Sequence, residues 1–446
     1  MFGWEFPPHI SGGLGTACHG LTNSLYDEGV QVLFVIPRLF GGETNGDVSL
    51  INASKVPLQR PRYATKTSTT TSHSETTTSG ERAIETVSID AALSPYQSEH
   101  FYHESSILNW NYRLPQTQRE TTSETTEEKI NEPTHSFSGT YGPNLFTEVV
   151  HYAEVAECVA DRNTFDVIHA HDWLTFPAGI AAKKISNKPL VIHVHATEYD
   201  RSGSQVNKHI FDIESEGMRE ADRIVAVSQW TANIIIRHYG VKPEKVEVVH
   251  NGIVSKEKKT PATKIPIGSH IITFLGRITF QKGPMYFVEA AKKVIEEFPE
   301  AHFVVAGSGD LLPQMVERVA QLKLSAHFHF TGFLKKEETE KLWSMTNVYV
   351  MPSVSEPFGI TPLEAIQGGV PVILSKQSGV AEVMPHAIKV DFWNTKLLAG
   401  AICSILRYGS LASSLSKNGH DEIKEMTWGK AARKINKLYH ELTTTA

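Results

Sequence analysis

The strongest constraint on this chain is a rhythm of short apolar runs, each ending in a polar or glycine-rich loop and separated from the next by a stretch of helical spacing. VQVLFVIP (Val30 to Pro37), DVIHAH (Asp166 to His171), PLVIHVH (Pro189 to His195) and RIVAVS (Arg223 to Ser228) read as buried strands. Between them lie a helical pattern over Thr16 to Glu28, with Leu21, Leu25 and Tyr26 on one stripe, and the long helical run PNLFTEVVHYAEVAECVADR. Near-continuous apolar strands alternating with helices predict a parallel, doubly wound sheet. The rhythm lapses at SKEKKTPATKIPIG (Ser255 to Gly268), a linker by its Lys, Pro and Gly content. It then restarts with IITFLG, HFVVAGSG, FHFTG, VYVMPS and PVILS, interleaved with MYFVEAAKKVIEEF and KKEETEKLWSMT. The fold class is therefore α/β, with two Rossmann-like domains: residues 1–254, then after the linker 269–425, and a final segment 426–446.

A chain of 446 residues is too long for one ordinary core, which agrees with two domains. Between about residues 40 and 140 the strand signal fails. ATKTSTTTSHSETTTSGE (Ala64 to Glu81) and RETTSETTEEKINEPT (Arg119 to Thr134) are too polar and too simple to bury a core, so the region reads as a mobile insertion. The opening MFGWEF leaves room for a first strand of only about five residues, and a truncated or misassigned start is one reading of it. Formal charge is −6 with no long Lys/Arg block, which argues against nucleic acid as a partner. Cys18, Cys158 and Cys403 lie far apart with no CxxC pair, arguing against a zinc cluster or a disulfide framework and for a cytoplasmic setting. No run approaches the roughly 20 apolar residues of a transmembrane helix.

Four constellations carry chemistry, each in a loop after a strand. In SGGLG (Ser11 to Gly15), Gly12, Gly13 and Gly15 let the backbone approach an anion at the start of a helix; the bland alternative is a tight turn. HAHDW (His169 to Trp173) suits hydrogen bonding to a sugar; the alternatives are a metal site and a helix start capped by Asp172. In GRITFQKG, Arg277 and Lys282 suit a pyrophosphate leaving group, although solvated cations are common on loops. In SEPFGITPLEAIQGG, Glu356 precedes the N–H groups of Gly359, Ile360 and Thr361, and Glu364 follows in the early turns of a helix. One carboxylate would meet a sugar and the other a ribose; the bland reading leaves both in solvent or near a helix dipole.

SEPFGITPLE resembles the E(x7)E signature of retaining GT-B glycosyltransferases, the family 4, glycogen synthase-like group. SGGLG, HAHDW, GRITFQKG and HNGI (His250 to Ile253) resemble that family's other motifs in the same order. The resemblance implies a donor on the second domain and an acceptor entering from the first. Glu356 would hold the transferred sugar, His171 would lie beside the anomeric carbon, and Arg277 and Lys282 would hold the diphosphate. Gly359 to Thr361 would meet the phosphates and Glu364 the ribose, with Gly307 and Gly309 bordering the base. Asp172, Trp173, Glu198 and Asp200 would border the acceptor side.

Two cations in place of a divalent metal imply metal-independent transfer with no cofactor. The substrates would be a nucleotide-sugar such as UDP-glucose or ADP-glucose and a sugar or glucan acceptor. TWGKAARKINKLYHELT (Thr427 to Thr443) carries a helical stripe at Trp428, Ala432, Ile435, Leu438 and Tyr439, and in the family such a tail returns to the first domain. Bacterial ADP-glucose enzymes resemble KTGGLG at the first loop; Ile10 and Ser11 stand here, so the lysine is missing. A glycoside hydrolase, a GT-B epimerase and an inactive sugar or nucleotide sensor are the competing functions.

Overall fold

The computed structural model describes residues 1–8, 12–43, 48–58, 133–254 and 270–444. The linker at 255–268 and most of the proposed insertion lie outside these residues. Helix α1 (Gly13–Asp27) is followed by β1 (Leu33–Ile36) and β2 (Ser49–Asn52). After the gap come α2 (Leu145–Arg162), β3 (Ile168–His171), α3 (Phe176–Ser186), β4 (Leu190–Val194), α4 (Glu198–Ser202) and α5 (Lys208–Glu220). β5 (Arg223–Ala226), α6 (Gln229–Tyr239) and β6 (Val246–Val248) complete the first half. The second half runs β7 (Ile271–Leu275), α7 (Pro284–Glu297), β8 (His302–Ala306), α8 (Leu312–Gln321), β9 (Phe328–Gly332) and α9 (Lys336–Met345). It continues through β10 (Val348–Met351), α10 (Thr361–Gln367), β11 (Val372–Ser375), β12 (Ile388–Val390), α11 (Thr395–Arg407), α12 (Gly409–Ile423) and α13 (Trp428–Thr444).

The opening residues are the keystone of the first sheet. Phe2 bridges Val35 on one side and Ala170 on the other, both in parallel. Gly3 N–H donates to Val35 O at 3.1 Å, Phe2 N–H to His169 O at 2.8 Å, and His171 N–H to Phe2 O at 3.0 Å. The parallel order is thus β2, β1, residues 1–3, β3, β4, β5, β6, the dinucleotide-fold order with residues 1–3 as its first strand. The second sheet, β12-β11-β10-β7-β8-β9, is parallel in every pair and has the same order.

The structure corrects the insertion at both ends. β2 pairs in parallel with β1, Leu58 N–H donates to Pro133 O at 2.8 Å, and Phe137 is in the core. These pieces are ordinary parts of the first half, missed because a four-residue strand inside polar sequence has too few positions to show a period. In α1, Leu21 and Leu25 are buried as expected, but Tyr26 is exposed.

Alternation along the strands divides the first core in two. Ile168, Ala170, Ile192 and Ile224 face α2, α3, α5 and α6. Val191 and Val225 face α1 and α13, where Leu21, Leu25, Ala432, Ile435 and Leu438 meet them. The C-terminal helix therefore packs on the first sheet. It gets there beside the outgoing chain, since Ile253 N–H donates to Met426 O at 2.8 Å and Ile253 bridges Thr427. Among the described residues no single helix is long and apolar enough to cross a membrane.

Candidate active site

In an open parallel sheet the crevice lies past the carboxyl ends of the strands where the strand order reverses. In the first sheet those strands are residues 1–3 and β3, which lead into the glycine loop and HAHDW. In the second they are β7 and β10, which lead into GRITFQKG and SEPFG. The topology brings together the loops that the motifs had marked separately.

The second half contributes a charged cluster. Glu356 is 5% exposed and its Oε2 is ion-paired with Lys282 Nζ, with Ser353 Oγ donating to the same oxygen at 3.3 Å. The loop is pinned by backbone bonds: Glu356 N–H donates to Gln377 O at 2.9 Å and Gly379 N–H to Glu356 O at 2.8 Å. Arg277 donates to Gln281 Oε1 at 3.3 Å. Gly359 takes φ +94°, a region closed to most side chains, to turn the chain through Ile360 into α10 at Thr361. Glu364 sits in the first turn of α10. Tyr349, which the motifs did not mark, is buried with its hydroxyl donating to Leu275 O at 3.3 Å; burial first, then the charges of Glu356 and Glu364, push its phenol well above the usual range.

Gly307 and Gly309 have a nearer reason to be glycine than a base. A Cβ on Gly307 would lie 2.0 Å from Gly276 O, and one on Gly309 would lie 2.3 Å from Ile278 O. The β8 loop is pressed onto the GRITF loop, with Ile278 N–H donating to Ser308 O at 2.8 Å.

The first half contributes one group that the sequence reading missed, Glu5. It is 6% exposed and follows the first strand at the switch point. Its Oε2 accepts the Gly15 N–H at 3.1 Å and its Oε1 accepts the Tyr141 hydroxyl. Burial raises its pKa, against the pull of Tyr141, Gly15, Arg277 and Gly12. The anion that the glycine loop holds in this structure is therefore the chain's own carboxylate. A Cβ on Gly12 would run into it, whereas one on Gly13 would meet nothing within 4 Å, so Gly13 is the glycine open to a ligand.

Several residues expected at the acceptor side turn inward. Trp173 is 1% exposed and packs on Phe146 in the core, so it offers no face to an acceptor. Glu198 is 2% exposed. Its carboxylate accepts from Arg201 Nε at 3.0 Å, Ser202 Oγ at 2.6 Å and Asn207 N–H at 3.0 Å, and Arg201 also pairs with Glu214. Asp172 is not a helix cap: α3 starts after Thr175. Its Oδ1 accepts from His195 N–H at 2.7 Å and Ala196 N–H at 3.2 Å. It thereby ties the ends of β3 and β4 together, and burial raises its pKa to about 6. Asp200 caps α4 with Thr197 and reaches across to the second half, where its Oδ1 accepts from Ser355 Oγ at 2.6 Å.

His171 is fully buried rather than open to the cleft. Period-2 alternation puts His169 and His171 on one face of β3, beside His193 of β4 in register with His171, and His195 follows. The four rings hydrogen-bond in pairs, His169 Nε2 to His193 Nδ1 at 3.3 Å and His171 Nδ1 to His195 Nε2 at 3.0 Å. His169 Nδ1 meets the Tyr439 hydroxyl of α13. Burial lowers all four pKa values, that of His195 to about 3. Nitrogens of His169, His171 and His193 lie within 4.8 Å of one another. The rings of His169 and His171 stack at 17°, and His171 Nε2 and His193 Nε2 are buried without a hydrogen-bond partner among the described residues. The set is thus a partly hydrogen-bonded column that also carries the donors of a candidate metal centre.

Two doubly wound halves, with backbone loops and cations on one wall and a hydrogen-bonded polar wall opposite, define the GT-B class of glycosyltransferases. Residues 255–434 match the family model for glycosyl transferases group 1, and residues 121–257 that for glycosyltransferase family 4. The chain is 30% identical over 319 residues to an uncharacterised glycosyltransferase of Methanocaldococcus jannaschii, covering 67% of this chain and 81% of that one. It is 25% identical over 389 residues to the glycogen synthase of Mycobacterium tuberculosis (strain ATCC 25618 / H37Rv), covering 86% and 79%. Among solved structures, sucrose-phosphate synthase from Thermosynechococcus elongatus superposes with a TM-score of 0.60 at 22% identity over 71% of this chain and 87% of that one. The chain belongs to this glycosyltransferase family.

Proposed function

We propose that the protein is a retaining, metal-independent hexosyltransferase that moves a sugar, glucose first among the candidates, from a nucleotide diphosphate to a sugar or glucan acceptor. The observation that carries this reading is the Lys282–Glu356 ion pair between the loops that leave β7 and β10 at the switch point of the second sheet, with Arg277 in the same β7 loop as Lys282. As the glycosidic bond breaks, negative charge grows on the diphosphate, and two fixed cations favour that state more than the ground state. Lys282 is the more exposed partner of the pair, so it would hold the diphosphate while the carboxylate orients sugar hydroxyls. Gly359, Ile360 and Thr361 would present backbone N–H groups to the phosphates and Glu364 would take the ribose, while Gly13 approaches from the opposite wall. With no nucleophile needed, the acceptor hydroxyl attacks on the face that the diphosphate leaves, and the diphosphate takes its proton. The glycogen synthase relative favours a glucosyl donor such as UDP-glucose or ADP-glucose.

The test is diphosphate release from UDP-, ADP- and GDP-sugars with and without glycogen, short glucans and simple sugars, in the presence of a chelator, for the wild type and Glu356→Ala. Acceptor-stimulated release by the wild type alone, with an α-linked product by NMR, is the expected result. Nucleotide binding without turnover on any donor, or activity lost to the chelator, would overturn it.

A further inference from the structure

The residues on either side of Glu356 are held from the other half of the molecule. Ser355 Oγ donates to Asp200 Oδ1 at 2.6 Å and accepts from Trp230 Nε1 at 3.1 Å. Pro357 O accepts from Ser228 Oγ, the N-cap of α6. Asp200 is itself fixed, because its Oδ2 accepts from Thr197 N–H and Thr197 Oγ1, both at 2.8 Å. The same seam is closed by Glu382, whose carboxylate accepts from Gln229 N–H at 2.9 Å and Trp230 N–H at 2.7 Å and meets His250 Nε2 at 3.0 Å. Asp200 is 1% exposed, so its bond to Ser355 is shielded from competing water.

We propose that Ser355, clasped by Asp200 and Trp230, is a positioning residue that makes the placement of Glu356 depend on closure of the two halves. This rests on the role given above to Glu356. When the first half swings away, the tethers on Ser355 and Pro357 are lost together, and the loop keeps its own-half bonds, those to Gln377, Gly379 and Gln281 and the contacts of Glu356 with Lys282 and Ser353. The sugar-orienting carboxylate is then in place only when the cleft is shut and water is excluded. Nucleoside diphosphate binding, which uses Arg277 and Lys282, does not depend on that clasp.

The experiment uses the full chain and compares Ser355→Ala, Ser355→Thr, Trp230→Phe and the double variant S355A/W230F, with Glu356→Ala as control. Ser355→Ala lowers kcat by ~10–100-fold, the range for losing a hydrogen bond to a buried carboxylate, and leaves the Kd for UDP or ADP without sugar within about twofold. Ser355→Thr, which keeps the hydroxyl, restores most of the loss. S355A/W230F is no worse than S355A, because both bonds end on one oxygen. Unchanged kcat in Ser355→Ala, or a parallel loss of diphosphate binding that Ser355→Thr fails to rescue, overturns the proposal. If Ser355→Ala does not fold, Trp230→Phe with wild-type kcat overturns it. An active Glu356→Ala would sink the role of Glu356 itself, whereas a dead Glu356→Ala beside a wild-type Ser355→Ala sinks the coupling alone.

Discussion

The two walls of the cleft carry similar residue types and use them differently. On the first wall, Asp172, Glu198 and Asp200 are each committed to hydrogen bonds with named neighbours, and the four histidines hydrogen-bond to one another. On the second, Lys282 and Glu356 are paired beside a glycine turn that leads into a helix, and Arg277 stands in the same loop as Lys282. A carboxylate surrounded by fixed donors is scaffold, because a ligand would have to break bonds to reach it. Glu356 accepts from Lys282 and Ser353 on one oxygen, Oε2, and its charged partner is a lysine that the diphosphate of a substrate can also engage. Acidic residues in a cleft are thus a poor guide to chemistry until their partners are counted.

The largest expected effect tests that contrast directly. Glu356→Gln lowers kcat/KM by ~10³-fold or more with little change in the unfolding midpoint. Glu198→Ala does the opposite: breaking its buried pair with Arg201 costs about 3–5 kcal/mol of stability in chemical denaturation, while kcat of the folded fraction changes little. A large catalytic loss from Glu198→Ala in folded protein would erase the distinction.

Glu5 sharpens the comparison, because it is a first-wall carboxylate that shapes the donor loop. Glu5→Ala removes the acceptor of the Gly15 N–H and the Tyr141 hydroxyl. It should raise the donor KM by ~10-fold, with kcat affected less. Glu5→Gln, which keeps an oxygen for the glycine loop, should recover part of this. Equal KM values in steady-state assays of all three proteins would leave Glu5 no role at the donor loop.

The smallest effect is a pH dependence of stability. His169, His171, His193 and His195 have pKa values depressed by burial. Their unfolded forms bind protons below about pH 6.5 while the folded forms do not, so stability falls as pH drops through that value. Asp172 (about 6) and Glu214 (about 7) act in the opposite sense, being protonated in the folded state at pH values where the unfolded groups are ionised. Burial also raises Glu5 and Asp200 and lowers the Met1 amine to about 5, so the lowered groups still outnumber the raised ones and unfolding takes up protons on balance near pH 5.5. Midpoints measured between pH 7 and pH 5 should therefore fall, and His193→Gln should flatten the slope by about one proton. A midpoint that rises towards pH 5 would mean that the histidine column is not buried.

The strand predictions fell where the structure has strands because an apolar run of four or five residues flanked by loop residues is a local signal. IITFLG, HFVVAGSG, FHFTG, VYVMPS and PVILS became β7 to β11. The strands that were missed, β2, β6 and β12, have three or four residues each, and the short first strand expected in MFGWEF is held at Phe2 by Val35 and Ala170 on either side. The site divided the same way. Arg277, Lys282 and Glu356 were legible because their loops follow strong strands, while Glu5 stood as one acid in an aromatic opening with no motif around it.

What the sequence determined by itself is therefore the alternation of strand and helix and the identity of the loops at the strand ends, since both arise from contacts among near neighbours in the chain. What only the tertiary structure decided is the direction each polar side chain faces. Trp173 went to the core, Glu198 to Arg201, and Asp200 to a serine 155 residues away. A buried polar group must find its hydrogen-bond partner wherever the fold brings one, and no local pattern records where that will be.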